Sequence, residues 1–214
     1  MSNQVSITID DKKITAPEGQ MLLWAALDND IYIPHLCGDR EEQDSSPASC
    51  RLCFVEVEGR PAPVPACTLP VTGGLVVNTR SPRVDGLVAA GFALLMSNHR
   101  LECRKCPANG NCELQRIAKA RRLKLKSQNL PVLDRNLPVD DSAPGIIYDP
   151  NKCVLCGRCI RACRKSGNAV LGFTLRGFER VVATFDHRPL GESYCLGCGD
   201  CAEACPVGAL SKQE

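Results

Sequence analysis

Two stretches decide the reading: Cys153-Val154-Leu155-Cys156-Gly157-Arg158-Cys159-Ile160-Arg161-Ala162-Cys163 and Cys195-Leu196-Gly197-Cys198-Gly199-Asp200-Cys201-Ala202-Glu203-Ala204-Cys205-Pro206. Both follow C-x2-C-x2-C-x3-C, so one short unit is written twice. Two-residue loops let three thiolates reach three corners of a cube, after which the chain leaves as a helix and carries its fourth cysteine away. That fourth thiolate serves the other cluster. The spacing therefore assigns Cys153, Cys156, Cys159 and Cys205 to one 4Fe-4S cluster, and Cys195, Cys198, Cys201 and Cys163 to a second. Zinc would ask for separated C-x2-C pairs closing one tetrahedron, which overlapping runs of four fit poorly. Pro206 follows Cys205, whereas Arg164 stands after Cys163, a change that leaves the ligands intact. Gly157, Gly197 and Gly199 lie inside the loops, where a missing side chain lets backbone N–H groups approach sulfur.

Working outward, His99, Cys103, Cys106 and Cys112 follow H-x3-C-x2-C-x5-C. A lone histidine at a helix end is usually a cap or a surface residue, but His99 stands beside three cysteines that lack a fourth partner. The set is expected to hold a 4Fe-4S cluster, with zinc held by the same three thiolates and imidazole as the alternative. A neutral imidazole in place of a thiolate removes a negative charge and favours the added electron, as histidine does in Rieske centres. Cys37, Cys50, Cys53 and Cys67 follow C-x12-C-x2-C-x13-C. Four thiolates on long loops in a β-rich context fit a 2Fe-2S cluster, again with zinc as the alternative. The four sets use all fifteen cysteines and one histidine, leaving no free thiol for nucleophilic catalysis. His35 and His187 have no cysteine set to complete and are expected to be structural or surface residues.

Composition agrees with metal-bound rather than bridged thiols. An odd cysteine count and an N-terminus without a basic or apolar leader pattern argue against an exported disulfide scaffold and for a reducing, cytoplasmic setting. No apolar run approaches the ~18 residues of a membrane span. The formal charge of +2 counts cysteines as neutral; with thiolates and clusters in place the chain carries about −5.

The fold class expected is α+β. Residues 1–78 read as a β-grasp 2Fe-2S ferredoxin domain: Val5, Ile7 and Ile9 alternate with polar residues, Asp10-Asp11 suggests a hairpin, and Met21 to Leu27 is a short apolar helix with Trp24 in the core. Residues 79–126 read as a small helical 4Fe-4S domain with one histidine and three cysteine ligands. There Ser81-Pro82 starts a helix whose Val84, Leu87, Val88, Gly91, Phe92 and Leu95 share one face, and a second helix runs from Cys112 to about Lys124. Residues 127–145, with three prolines among polar residues, read as a linker. Residues 146–214 read as a duplicated bacterial-type 2x(4Fe-4S) ferredoxin domain, with the β-prone stretch Val170 to Phe185 between its repeats.

The order of motifs resembles the N-terminal iron-sulfur region shared by the large iron-sulfur subunit of respiratory complex I, iron-only hydrogenases and NAD-linked formate dehydrogenase α subunits. In length it is most similar to the stand-alone diaphorase iron-sulfur subunit of NAD-reducing nickel-iron hydrogenases. The residues that carry the resemblance are Pro17-Glu18-Gly19, Ile33-Pro34-His35-Leu36-Cys37, Cys50-Arg51-Leu52-Cys53-Phe54-Val55-Glu56-Val57, Asn109-Gly110-Asn111-Cys112-Glu113-Leu114-Gln115 and Arg176-Gly177-Phe178. The family usually places ten residues between its first two cysteines; the twelve found here imply an enlarged exposed loop at 41–47. The resemblance implies an electron-transfer subunit with no active site of its own. Its partners would be an FMN- and NAD(H)-binding iron-sulfur flavoprotein and a catalytic hydrogenase or formate dehydrogenase subunit. No G-x-G-x-x-G or Walker A sequence is present, which places nucleotide and flavin on a partner.

Two other readings stay open. The basic run Lys119, Arg121, Arg122, Lys124 and Lys126 suggests nucleic-acid binding, but on a helix such residues more often form a solvated face, and no aromatics interleave them. An independent multi-cluster shuttle or redox sensor would use the same ligands, and co-purification with a flavoprotein separates it from a relay subunit.

Overall fold

The computed structural model describes residues 3–41, 46–126 and 130–213. The architecture is α+β, and the chain folds as two units, Met1–Phe92 and Ala93–Glu214.

The first unit is built on a five-stranded mixed sheet in the order β2-β1-β5-β3-β4. Strands β1 (Gln4–Ile9) and β2 (Lys12–Pro17) pair antiparallel through the expected hairpin, where Asp10 and Asp11 take φ of 47° and 64°. Paired positive φ values match the right-handed twist of the flanking strands. Asp10 also accepts hydrogen bonds from the Thr79 N–H (2.7 Å) and hydroxyl (2.6 Å), tying this turn to the end of β5 (Val76–Asn78). Strand β5 runs parallel to β1 and antiparallel to β3 (Phe54–Val57), which pairs in turn with β4 (Val64–Pro65). Helix α1 (Leu22–Asp28) buries Leu22, Leu23, Trp24, Ala25 and Ala26 in one core with Ile7, Ile9, Ile14, Val55 and Val77. The alternation in β1 is therefore the signature of a strand with one face against a helix.

Helix α2 (Pro82–Ser97) begins as its sequence suggests, with the Ser81 hydroxyl accepting from the Val84 N–H at 3.1 Å and Pro82 in the first turn. Val84, Val88, Phe92 and Met96 are buried, whereas Leu87, expected on the same face, is 38% exposed. A four-residue spacing drifts round the helix, and Leu87 falls at the edge of the stripe.

In the second unit, α3 (Glu113–Arg121) buries Leu114, Ile117 and Ala118 and stops at Arg122, whose φ of 54° breaks the helix short of Lys124. Arg121, counted with the basic run, is itself buried, so that run is not a continuous solvated face. Residues 130–145 form neither helix nor strand, and 127–129 lie outside the described residues. Strands β6 (Ile146–Tyr148) and β9 (Leu210–Lys212) pair antiparallel and bracket the cysteine runs. Helices α4 (Arg158–Lys165) and α5 (Asp200–Glu203) each start immediately after a left-handed glycine, Gly157 (φ 73°) and Gly199 (φ 84°). A residue with a Cβ is strained there, which explains why both repeats keep glycine at that place. The β-prone stretch forms the hairpin of β7 (Gly172–Thr174) and β8 (Val181–Ala183).

Candidate metal centres

All fifteen cysteines are unbridged. In the first unit, Cys37 lies in the loop after α1, Cys50 and Cys53 lie in the loop that leads into β3, and Cys67 sits in the 3-10 turn Ala66–Thr68. The Ala66 N–H donates to the Cys53 carbonyl at 2.8 Å, locking that turn to the cysteine loop. All four are buried. A hydrogen bond from the Cys50 thiol draws Cys37 down to about 5, and one from the Cys53 thiol draws Cys67 down to about 7. Cys50 and Cys53 are pushed up in return, first by holding those protons and then by burial. Cys37 thus lies beside Cys50 and Cys67 beside Cys53, and the two pairs feel each other's charge, Cys50 acting on Cys53 and Cys37 on Cys67. The Cys50–Cys53 loop is seated on α2 at Gly91, where a Cβ would stand 2.9 Å from the Arg51 carbonyl oxygen. The loop enlargement expected at 41–47 lies partly outside the described residues.

His35 stacks edge-on to Trp24 with 5.7 Å between ring centroids, and its Nδ1 donates to the Ile33 carbonyl at 2.9 Å. It is a packing residue. His187 is exposed.

In the second unit, His99, Cys103, Cys106 and Cys112 line one small cavity, joined by Arg100, Glu102, Asn109, Gln115, Lys152 and Val207. The His99 ring is buried, and its Nδ1–H donates to the Lys152 carbonyl oxygen at 2.8 Å. A carbonyl can only accept, so the proton is on Nδ1 and Nε2 keeps its lone pair, the arrangement found in metal-ligating histidines. Burial holds its pKa below the ordinary histidine value and so favours the neutral form. Burial likewise pushes the Cys112 thiol up. Gln115 closes the Cys106–Cys112 loop, accepting from the Gly110 N–H and donating to Asn109 Oδ1, each at 2.9 Å. These contacts give the Asn-Gly-Asn-Cys-Glu-Leu-Gln run a geometric reason. Gly208 packs on this centre, since a Cβ there would stand 3.0 Å from Cys106 Sγ.

The two repeats exchange their fourth cysteine. Cys163 lines a second cavity with Cys195, Cys198 and Cys201, walled by Ile146, Asn168, Val170, Leu171 and Leu190. Cys205, from the second run, lies close enough to Cys153, Cys156 and Cys159 for their charges to interact. Burial pushes Cys153 up to about 12, Cys156 to about 11 and Cys201 to about 12, with neighbouring thiolates adding to each shift. Backbone N–H groups already point at sulfur: Leu155 at Cys153 Sγ and Leu210 at Cys205 Sγ, both at 3.4 Å.

These sets fit the clusters that their spacing predicts. They supply soft thiolate donors, one imidazole with an available Nε2, and backbone N–H groups aimed at sulfur. Among the described residues no three Cys, His, Asp or Glu side chains close on a single point as ligands of one ion would.

Sites of this kind define an iron-sulfur protein. Family models agree along the chain: a 2Fe-2S iron-sulfur cluster binding domain matches residues 2–82, the NADH-ubiquinone oxidoreductase-G iron-sulfur binding region matches 92–124, and a 4Fe-4S dicluster domain matches 147–211. The chain belongs to the family of iron-sulfur subunits found in NAD(P)-linked hydrogenases and in the G subunits of NADH-quinone oxidoreductases. It is 38% identical over 216 residues to the NADP-reducing hydrogenase subunit HndD of Solidesulfovibrio fructosivorans, covering 99% of this chain and 37% of that one. It is 35% identical over 207 residues to the NADPH-Fe(3+) oxidoreductase subunit alpha of Geobacter sulfurreducens, covering 96% of this chain and 24% of that one. The chain thus spans only a quarter to two fifths of the length of these relatives. A chain in the crystal structure of an NAD+-reducing NiFe-hydrogenase in the H2-reduced state superposes with a TM-score of 0.86 at 32% identity, covering 98% of this chain and 87% of that one. Among the described residues no helix is long and apolar enough to cross a membrane.

Proposed function

We propose that the chain holds one 2Fe-2S cluster on Cys37, Cys50, Cys53 and Cys67 and three 4Fe-4S clusters, and relays single electrons between protein partners. The 4Fe-4S sets are His99 with Cys103, Cys106 and Cys112; Cys153, Cys156 and Cys159 with Cys205; and Cys195, Cys198 and Cys201 with Cys163. In this reading the sheet carrying α1 is a β-grasp ferredoxin domain, the segment around α3 a small domain with one histidine and three cysteine ligands, and β6 to β9 a duplicated bacterial-type ferredoxin domain. The bound clusters supply reversible one-electron chemistry; the protein positions them, shields them from water and sets their electrostatics. His99 binds through Nε2 while the Lys152 carbonyl keeps its other nitrogen protonated.

The partners are an FMN- and NAD(H)-binding flavoprotein and a catalytic subunit of hydrogenase or formate dehydrogenase type, assembled in the cytoplasm where thiols stay reduced. What supports the reading most is that sixteen donors, scattered over 169 positions from Cys37 to Cys205, divide by their spacing into four sets with no cysteine left over. Anaerobic purification tests it. The expected material is brown, carries about 14 iron per chain, and co-purifies with a flavoprotein. Colourless, zinc-loaded protein would overturn the cluster assignment, and an isolated functional monomer would favour an independent shuttle.

A further inference from the structure

Lys152 serves the His99 centre twice. Its backbone carbonyl accepts the His99 Nδ1–H, the residue lines the cavity of His99, Cys103, Cys106 and Cys112, and its charge acts on the His99 ring. The ammonium is sequestered from solvent: Nζ lies 2.9 Å from Asp149 Oδ2, and the two side chains retain 11% and 12% of their exposure. Asp149 is committed on its other oxygen, where Oδ1 accepts from the Asn151 N–H at 3.0 Å and from Asn151 Nδ2 at 2.9 Å. One carboxylate thus caps the 3-10 turn Pro150–Lys152 and holds the ammonium that this turn presents.

The net stabilisation from a buried ion pair is small, because desolvation offsets the Coulomb gain. Its field is another matter, since charges screened by little water act strongly on their neighbours. The remaining charged groups on that wall are Glu102 and Arg100, and Arg100 reaches outward to Asp134 at 2.6 Å, a pair 29% and 61% exposed. Water screens such a pair. Glu102 is likewise exposed, so Lys152 and Asp149 are less screened than either charge on that wall.

We propose that the Asp149–Lys152 pair sets the reduction potential of the His99 centre, Lys152 favouring the added electron and Asp149 limiting that effect. The proposal rests on the reading that this cavity holds a cluster. Reduction adds a negative charge, which the ammonium stabilises and the carboxylate opposes, so removing each partner must move the midpoint in opposite directions. A purely structural role predicts no such sign reversal.

The test uses full-length protein, anaerobically loaded with iron and sulfide. Potentiometric titration is followed by EPR, with the His99 centre identified by its ligand-nitrogen coupling. Lys152→Met should lower its midpoint, Lys152→Arg should restore it, and Asp149→Asn should raise it, while the centre on Cys37, Cys50, Cys53 and Cys67 stays put. Shifts of the same sign in Lys152→Met and Asp149→Asn, or an unmoved midpoint in both, overturn the inference. If Lys152→Met fails to load, the upward shift of Asp149→Asn still decides it. Wild-type protein without any nitrogen-coupled cluster would instead refute the reading beneath the proposal.

Discussion

At the scale of single residues, the donor atoms are legible in the sequence and their supports are not. His99 stands out in the sequence because three cysteines lack a fourth partner, and it does line the cavity with Cys103, Cys106 and Cys112. Replacing it with cysteine adds a negative charge to the centre. His99→Cys is therefore expected to lower that cluster's midpoint, by ~100 mV or more, with the other centres unmoved in an EPR-monitored titration. A raised midpoint would mean that solvent access or geometry outweighs ligand charge. Lys152 and Gly208 give no comparable sign, since each matters only through where the folded chain brings it. A carbonyl acceptor and a close approach to Cys106 Sγ leave no trace in spacing.

At the scale of elements, local chemistry predicts starts better than ends. The Asp10-Asp11 hairpin and the Ser81-Pro82 helix start form as read, because turn and cap preferences act over a few neighbouring residues. Helix α3 stops at Arg122 instead of Lys124, and Leu87 faces outward, because tertiary packing decides both. The cysteine runs around α4 and α5 carry a pH dependence of their own. Burial lifts Cys153, Cys156 and Cys201 to about 12, 11 and 12. Their folded pKa values thus lie above those of the unfolded chain. The stabilising contribution is full below the unfolded value near 9 and is lost as pH rises through 11 to 12. Iron-free protein should accordingly melt lower at about pH 10 than at about pH 8, with Cys153 and Cys156 each costing up to about 1.4 kcal/mol per pH unit in that window. The loaded protein, whose thiols have already surrendered their protons, should not share this loss. Equal alkaline sensitivity of both forms in thermal melts would contradict the burial argument.

At the scale of the whole molecule, spacing predicts the swap of Cys163 and Cys205 between runs, because short loops restrict which thiols can meet. It does not reveal how the exposed segment Leu175 to Arg180 hangs between them. That hairpin offers trypsin two accessible sites, Arg176 and Arg180, and a cut there separates the first run from the second. Yet neither fragment then owns a complete set of donors for either of the two clusters that these runs share. The nicked protein should migrate as one species on a native gel while iron is present, and should part into two peptides when a strong chelator and mild denaturant are added together. Fragments that separate with iron still bound to the C-terminal piece, which carries only Cys195, Cys198, Cys201 and Cys205, would show that the swap is not made. Mineral would thus stand in for a severed peptide bond, a rivet whose two halves come from opposite sides of the break.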